Sequence, residues 1–469
     1  MAGGLRESAR QTLLLVPVAL ARLGLLDRRK GEEAFDLAIP VMVTGGMRTL
    51  LRVADFFMVS VALGDEAVAA LELGFQYYFI PFGLALALSS GTISVVSRFY
   101  GAEQYSRADF AIKQSFWLAL AIAGPITAVT WGYAAPMIDV LTDDPRTIRL
   151  GAVYLQIVML SATFRFWSLI AARALAGAGD TRTPMYIRVI SLPTNVVLNA
   201  LLIFGIGPFP ALGIVGAAVG TALANVLAAL LFLAVLLSGR FRLRLRLGGP
   251  QWDTSIAWEL VRVGLPLAGT RLSRTFGRFP FLFVLGVLGT EVIAAYAIGR
   301  RVMLLALMPA WGFSTASSTL VGQSLGAGDP AEANEYGWQT LRLALLIQVV
   351  LAVAIIAAAR PIVLAFDASN VDLTVTFVRV FGLSVAGFAV SRTMRGSLRG
   401  AGDTRWPLYG GILGTYAVRL PIAAVALPVG FTIPIVGYSL SPGLGVGLLA
   451  IYVAILADMY TRAVVNVAR

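Results

Sequence analysis

The side chains that most often carry chemistry are scarce in this chain of 469 residues, which contains neither cysteine nor histidine. The chain therefore lacks thiolates and imidazoles, the usual soft metal ligands and the usual general base. It also has no G-x-x-x-x-G-K-[ST] motif, the loop that holds nucleotide phosphates. These absences argue against an enzyme, and we expect no catalytic residue, no bound metal and no cofactor.

Asp55 stands out among the acidic residues because it lies inside a long apolar segment, VADFFMVSVAL. A charge at the centre of a bilayer costs about 2.5–3.5 kcal/mol, so an acid at that depth normally faces a cavity or a partner. Asp55 could serve as a coupling site that takes up H⁺ or Na⁺ and releases it when substrate binds. The local alternative is an ion pair with Arg52, three residues earlier on the same helical face.

Asn195 and Asn199 form a second polar pair, four residues apart and so on one face of a helix. Their carboxamide oxygens could ligate a cation or accept a hydrogen bond from a protonated Asp55. Thr221, in the next apolar segment, is a further candidate ligand. The alternative for both asparagines is that they join two helices by hydrogen bonds. We therefore expect an ion-coupling group made of these four residues.

Glu72 and Gln76 lie one helical turn apart in the second apolar segment and are candidates for the wall of a substrate cavity. A place at the outer membrane interface would equally explain Glu72. No acid stands at the position of the second half that corresponds to Asp55, where the register places Phe281. We therefore expect any ion coupling to belong to the first half.

Paired arginines recur in the two halves: Arg48 and Arg52 are matched by Arg274 and Arg278, 226 positions further along. Arginines at helix ends normally extend to the headgroups, but these pairs lie deeper in their segments. A cavity rich in guanidinium groups suits an anionic or phosphate-bearing substrate. We expect all four arginines at the substrate cavity.

Apolar helices must position these side chains. Hydrophobic residues make up 58% of the chain and charged residues 13%, and the mean hydropathy is +0.82, whereas soluble domains have about 25% charged residues. Apolar runs of roughly 20 residues recur, the length that crosses a hydrocarbon core of about 30 Å. The sequence predicts an all-α polytopic membrane protein with twelve spans in two sets of six. The spans are 37–60, 68–92, 112–135, 149–171, 185–206 and 213–237, then 262–286, 292–318, 338–359, 374–397, 407–428 and 444–467.

The basic stretch SGRFRLRLRLGGPQWD separates the two sets. We divide the chain into a cytoplasmic N-terminal segment (1–36), a six-helix bundle (37–237), a cytoplasmic basic linker (238–257) and a second six-helix bundle (258–469). The apolar part of the N-terminal segment predicts a helix on the membrane surface.

The polar phrase GAGDTR occurs twice, at 177–182 and 400–405, each time after the fourth span of its set. Further matched phrases, such as LGDEAVAA and LGTEVIAA, lie at offsets of 223 to 226, so one six-span unit is duplicated in parallel orientation. We interpret the phrase as a connector with glycines in a tight turn, an aspartate that caps the next helix and a proline in its first turn. Its residues are Gly177, Gly179, Asp180 and Pro184, and Gly400, Gly402, Asp403 and Pro407.

Basic residues indicate the orientation. The connections at 61–67, 207–212 and 429–443 contain no lysine or arginine, whereas the linker and the two GAGDTR phrases do. Cytoplasmic loops carry an excess of these residues. The connection after the eighth span is an exception, with no basic residue before Arg342. We expect a multi-pass plasma-membrane protein with both termini in the cytoplasm.

As a set, these motifs resemble the multidrug and toxic compound extrusion (MATE) family. The resemblance rests on GAGDTRTP with its copy GAGDTRWP, on VADFFMVSVALGDEAVAAL, on SRFYGA with GQSLGAGDPAEA, and on NVVLNALLIFGIGPFPALGIVGAAVGTALA. It covers nearly the whole chain from residue 37 onward, in both halves. In the family, the aspartate of the matching VAD phrase is a coupling site, and an Asn-x-x-x-Asn or Asn-x-x-x-Asp pair often follows in the fifth span.

The resemblance implies two six-helix bundles around a V-shaped cavity, and antiport of organic cations or toxic metabolites against H⁺ or Na⁺. We therefore expect an efflux transporter for drugs or toxic metabolites that works by rocking-bundle alternating access. The alternative is an exporter or flippase of an anionic or lipid-linked substrate with an arginine-rich cavity. The expected partners are the lipid bilayer and a small-molecule substrate, with no nucleic acid, and we expect a monomer.

Overall fold

The computed structural model describes residues 17–63, 65–366, 368–435 and 438–469. Helices account for most of these residues. In the first half they are α1 (Arg28–Leu63), α2 (Asp65–Gly101), α3 (Tyr105–Asp139), α4 (Pro145–Leu160), α5 (Ala162–Gly177), α6 (Arg182–Phe204) and α7 (Ile214–Leu237).

The second half repeats this order with more interruptions. Its elements are α8 (Thr254–Phe276), α9 (Arg278–Leu288), α10 (Thr290–Ala306), α11 (Met308–Gly326), α12 (Pro330–Ala357), α13 (Ala359–Leu364), α14 (Val371–Gly400), α15 (Arg405–Ile412), a π-helical turn π1 (Leu413–Arg419), α16 (Leu420–Ala424), strands β1 (Ile433–Ile435) and β2 (Tyr438–Leu440), and α17 (Leu448–Val467). The two strands form an antiparallel hairpin with Ile433 opposite Leu440.

The predicted spans are confirmed as helical segments, although several are bent. Among the described residues, eight helices are long and apolar enough to cross a bilayer alone, and two bent pairs raise the number to ten. The remaining two predicted spans are the α8–α9 pair, interrupted at Gly277, and the α15–π1–α16 series. Together they complete the twelve-helix arrangement.

One of the bends shows how a span can break without exposing polar groups to lipid. Helices α4 and α5 meet at 49° around Ser161, which is buried. The Ser161 hydroxyl donates to the carbonyl of Val158 at 2.7 Å and accepts a hydrogen bond from Asn225 on α7 at 3.0 Å. A broken helix is tolerated at membrane depth when neighbouring side chains satisfy the freed groups, as here.

The chain divides into two compact units, and the boundaries fall at the matched prolines. One unit contains 40–265 and 322–329, and the other contains the residues before Pro40 together with 266–321 and 330–469. Pro40 lies inside α1 and Pro266 inside α8. We call them the N-unit and the C-unit. A proline within a helix removes one backbone hydrogen bond and favours a change of direction.

The start of α1 belongs to the C-unit and is held against α12 by ion pairs and a hydrogen bond. Arg29 pairs with Glu332 at 3.1 Å, Lys30 pairs with Glu335, and the backbone N–H of Asp27 donates to Gln339 Oε1 at 3.0 Å. Helix α1 begins at Arg28, within the predicted N-terminal segment 1–36, whose cytoplasmic location stays a prediction. Residues 17–22 are helical, and residues 1–16 of the predicted surface helix lie outside the described residues.

The basic linker is held against α3 within the N-unit. Asp109 accepts a hydrogen bond from the backbone N–H of Arg244 at 2.8 Å, and its other oxygen lies 3.5 Å from Arg246. The ammonium of Lys113 donates to the carbonyls of Leu247, Gly248 and Pro250 at 3.0–3.3 Å. These bonds order a segment that has no helix of its own.

The GAGDTR connectors end their helices with the same turn, and two further connectors share it. Gly179, Gly328 and Gly402 have φ values of 80–83°, and Glu103 has a φ of 58°. In all four turns the following residue donates its N–H to the carbonyl five residues back, at 2.8–2.9 Å. This is the hydrogen bond of a Schellman helix end, which requires a left-handed residue.

The other connector residues have separate tasks. Gly177 and Gly400 are the last residues of α5 and α14. Asp180 accepts a hydrogen bond from the backbone N–H of Thr183 at 2.9 Å at the start of α6, whereas Asp403 pairs with Arg469 at 3.0 Å. Pro184 and Pro407 each occupy the third position of the next helix, within its first turn. Each copy of the phrase thus forms the turn between two helices.

Glu103→Gly should stabilise the protein. A left-handed conformation costs a residue with a side chain about 1–2 kcal/mol, and glycine occupies the matching position, Gly328. We expect thermal unfolding of the purified variant to shift upward by a few degrees. Glu103→Ala is the matched control, since it keeps Cβ and should gain little. An equal gain from alanine would show that the side chain, and not the backbone conformation, limits stability there.

Candidate functional site

A cavity of about 150 Å³ lies within the N-unit, among helices α1, α2, α4, α5, α6 and α7. Its described walls combine aromatic and aliphatic side chains with a polar group concentrated on α1 and α6. The lining residues are Arg48, Leu51, Asp55 and Val59; Leu71, Phe75, Tyr78 and Phe82; Tyr154 and Arg165; Arg188, Ser191, Leu192, Asn195 and Asn199; and Ala217, Thr221, Ala224 and Asn225.

Helical periodicity explains the polar wall. Arg188, Ser191, Asn195 and Asn199 recur at intervals of three and four residues along α6, so their side chains share one face. Asp55, on the neighbouring helix α1, lines the same cavity. A helix that carries a continuous polar stripe in an apolar bilayer must direct the stripe toward protein or a cavity.

Asp55 and the predicted amide residues meet in this cavity. Asn199 donates from Nδ2 to Asp55 Oδ1 at 3.0 Å, a normal hydrogen-bond distance. Asn195 Nδ2 lies 3.5 Å from Asn199 Oδ1 and 3.4 Å from Thr221 Oγ1. Three helices, α1, α6 and α7, therefore contribute one polar cluster that contains a carboxylate, two carboxamides and a hydroxyl.

Close packing of α7 on α6 sets this geometry. Gly220 of α7 faces Asn199, and a Cβ at Gly220 would lie 2.2 Å from Asn199 Oδ1 and 3.0 Å from the Asn199 backbone nitrogen. Only glycine leaves room for that approach. Asn199 is 2% exposed, so its carboxamide has a fixed protein environment and reaches Asp55 without a competing solvent shell.

The cavity carries more positive than negative charge. Among its described lining residues, Arg48, Arg165 and Arg188 are cationic and Asp55 is anionic. Arg165 lies 5.5 Å from the ring centre of Phe82. Aromatic faces stabilise guanidinium groups at this range. The site could therefore hold a cation near Asp55 and an anion or a π-system near the arginines.

Several residues that the sequence suggested for the cavity lie elsewhere. Glu72 and Gln76 are exposed on α2, because Leu71, Phe75 and Tyr78, one residue out of phase with them, face the cavity. The side chain of Arg52 lies outside the described residues.

Arg274 and Arg278 belong to α8 and α9 of the C-unit, where Arg274 is half-buried and Arg278 is exposed. The two paired arginines of the second half therefore do not line the N-unit cavity, and their place at a substrate cavity stays a prediction. Arg48 is the member of that group that the cavity contains.

Sequence reasoning missed Arg188 of this cavity and one deep acid. Asp458 on α17 is fully buried in the C-unit and lies 2.6 Å from Arg462. The spacing of four residues between them was a readable signal for an ion pair on a helix face. Phe281, the counterpart of Asp55, is also fully buried, and the guanidinium of Arg419 lies 3.8 Å from its ring centre.

Comparisons with known proteins agree with a duplicated membrane protein. A family model described as MatE matches residues 40–201 and 266–425, two copies that begin at the paired prolines. A protein of Thermotoga maritima named probable multidrug resistance protein NorM is 29% identical over 444 residues, covering 92% of this chain and 90% of that protein. A Shewanella oneidensis protein named FAD transporter is 26% identical over 349 residues, covering 74% and 76%.

A crystal structure of a MATE protein in the bent conformation shares the fold, with a TM-score of 0.83, 22% identity and coverage of 93% of this chain and 94% of that one. The class of protein is thus a polytopic helical membrane transporter built from a duplicated unit. Because the family model matches more than half of the residues, the chain belongs to the MATE family.

Proposed function

We propose that this transporter exports drugs or toxic metabolites in antiport with H⁺ or Na⁺, by rocking-bundle alternating access. The observation that carries the proposal is the hydrogen bond of 3.0 Å between Asn199 and the carboxylate of Asp55 in the N-unit cavity. A carboxylate in an apolar, low-dielectric site gains strongly from binding a proton or a cation. The printed name of the Thermotoga relative supports multidrug resistance as the role.

The chemistry follows from charge balance at Asp55. When Asp55 holds H⁺ or Na⁺, its charge is neutralised. The side-chain oxygens of Asn195, Asn199 and Thr221 can then serve as uncharged ligands of a bound cation. When the ion leaves, the free carboxylate attracts a cationic substrate. Ion and substrate thus compete for the same charge, which is the condition for antiport through one cavity.

The test is a proteoliposome assay with an imposed gradient of H⁺ or of Na⁺ and a cationic dye as substrate. We expect dye movement to follow one of the two gradients and to stop when that gradient is collapsed by an ionophore. Dye movement that persists unchanged without either gradient would overturn the proposed coupling.

A second candidate function is export of an anionic substrate, favoured because three arginines and one carboxylate line the cavity. The name of the Shewanella relative, FAD transporter, fits an anionic compound with aromatic rings. An anionic dye in the same vesicles separates the two candidates. Movement of the anion alone would select this second function.

We further propose that the protein resides in the plasma membrane as a monomer with both termini in the cytoplasm. The distribution of arginines supports this orientation, because Arg240, Arg242 and Arg244 lie close together in the linker and cytoplasmic loops carry an excess of such residues. Cysteine labelling is simple here because the chain has no cysteine. A cysteine introduced at Arg240 should react with a membrane-impermeant maleimide only after the cells are opened.

A further inference from the structure

The polar stripe of α6 has a second end, away from the Asp55 cluster. Arg188 and Ser191 lie three residues apart on this helix, so they are neighbours on one face. Both line the N-unit cavity, and they are 4% and 3% exposed. Along α6 they precede Asn199 by two to three helical turns, since the rise is about 1.5 Å per residue. The cavity therefore offers polar groups at a place that the coupling cluster does not use.

The guanidinium group of Arg188 rests on an aromatic ring and not on an acceptor. Its Cζ lies 5.6 Å from the ring centre of Phe232 on α7, and within the part of the chain that the structure describes it forms no ion pair or hydrogen bond. Arg399 and Arg462, which are also buried, donate to protein oxygens at 2.6–3.1 Å. A buried guanidinium without an acceptor is costly. The position of Arg188 therefore favours an acceptor that a ligand supplies.

The hydroxyl of Ser191, in the same wall, is also without a partner. Serine and threonine inside a helix commonly donate to the carbonyl four residues back. Thr194 of the same helix does so, to Ile190 at 2.8 Å. Ser191 Oγ is buried and makes no hydrogen bond with any described residue. It adds a second unused donor beside Arg188.

The apolar walls of the cavity suit a flat ring. Phe75, Tyr78 and Phe82 of α2 and Tyr154 of α4 all line it. Tyr78 and Phe82 stack with their ring centres 6.1 Å apart, and aromatic rings attract one another at separations of about 4.5–7 Å. The cavity volume of about 150 Å³ is close to that of an engineered protein cavity that binds benzene. The space therefore fits a ligand with one aromatic ring.

We propose that Arg188 and Ser191 bind the carboxylate of an aromatic acid, a single ring with one carboxyl group, as a substrate of this transporter. A planar guanidinium fork matches the two oxygens of a carboxylate, and the hydroxyl donates to one of them. Arg48 and Arg165 add positive charge to the same cavity. The inference rests on the proposed export function in its anionic form, for which it names the substrate class.

The test measures binding to the full-length protein in phosphatidylcholine nanodiscs by fluorine NMR. The probe is 4-fluorobenzoate, and 4-fluorobenzamide is its uncharged counterpart of the same shape. We expect the benzoate to bind about tenfold more tightly than the amide, because only the carboxylate gains charge-assisted hydrogen bonds. Absence of benzoate binding, or equal affinity for the two compounds, would overturn the proposal.

Arg188→Gln should weaken binding of 4-fluorobenzoate by roughly tenfold or more and change binding of the amide much less. Arg182→Gln is the matched control, because Arg182 is exposed at the start of the same helix and is not among the described lining residues. This control should bind both compounds as the unsubstituted protein does. Equal loss of benzoate binding in the two variants would contradict the role of Arg188.

Ser191→Ala separates ligand binding from folding. Because the hydroxyl has no described partner, its removal breaks no hydrogen bond within the described chain. The thermal midpoint should stay equal or rise, whereas 4-fluorobenzoate should bind about two- to tenfold more weakly. A lower midpoint with unchanged benzoate binding would show that Ser191 supports packing and would remove it from the site.

This assay also distinguishes the inference from the export function on which it rests, because it measures binding without a gradient. Benzoate binding in a protein that moves no substrate along either gradient would overturn the export function alone. Gradient-driven movement of a dye by a protein that does not bind 4-fluorobenzoate would overturn the aromatic-acid site alone.

Discussion

Asp55→Asn is expected to abolish gradient-driven export while the protein still inserts and folds. Asparagine keeps the size of the side chain and a hydrogen bond with Asn199, which lies 3.0 Å from the carboxylate in the unsubstituted protein. It cannot take up a proton or neutralise a cation, so the step that links ion and substrate is lost. In proteoliposomes under an imposed H⁺ or Na⁺ gradient, dye movement should fall to the level of protein-free vesicles.

Glu72→Gln is the matched control for this experiment. It neutralises an acid of the same unit that the sequence also suggested for the cavity, but the structure exposes Glu72 on α2. Transport by this variant should stay within a factor of about two, since exposed substitutions rarely matter by more than about 0.5 kcal/mol. Undiminished transport by Asp55→Asn, or equal loss in both variants, would contradict coupling at Asp55.

The second large effect is expected from a substitution that touches no charged group. Gly220→Ala places a Cβ 2.2 Å from Asn199 Oδ1 and 3.0 Å from its backbone nitrogen. Helix α7 must then move away from α6, or Asn199 must leave Asp55. Overpacking of this kind costs about 1–3 kcal/mol, and we expect both a lower thermal midpoint in detergent and strongly reduced coupled transport.

Gly124→Ala is the comparison for Gly220→Ala. Gly124 lies inside α3, and nothing comes within 4 Å of a Cβ built there. Alanine in an open helix position gains up to about 1 kcal/mol over glycine, so this variant should unfold at an equal or higher temperature and transport normally. If both alanine variants behaved alike, the tight contact between α6 and α7 would have no role in positioning Asn199.

Part of the candidate site could be predicted from spacing. Asp55, Asn195, Asn199 and Thr221 were expected in one group, and the structure brings them into one cavity. Arg188 continues the same α6 stripe at a spacing that the sequence displays. Residues that share a helix face can be recognised without coordinates, because side-chain direction follows from 3.6 residues per turn.

Other features could not be found that way. Glu72 and Gln76 also share a helix face, but spacing alone does not say which face of α2 meets the cavity. A phase difference of one residue rotates a side chain by about 100°, and the aromatic side chains of α2 occupy the inner face. The link between Asp458 and Arg419 joins α17 to π1 across 39 positions of sequence, from 419 to 458, a pairing that only packing determines.

The sequence by itself determined that this protein spans a membrane, that its six-span unit is duplicated and that it resembles the MATE family. Those properties follow from local hydrophobicity and from repeated phrases, both of which are read along the chain. The tertiary structure decided which polar faces meet: Asp55 with Asn199 in the N-unit, and Asp458 with Arg462 and Arg419 in the C-unit. The physical reason is that helix rotation and close approach, as at Gly220 and Gly414, depend on the shape of neighbouring helices.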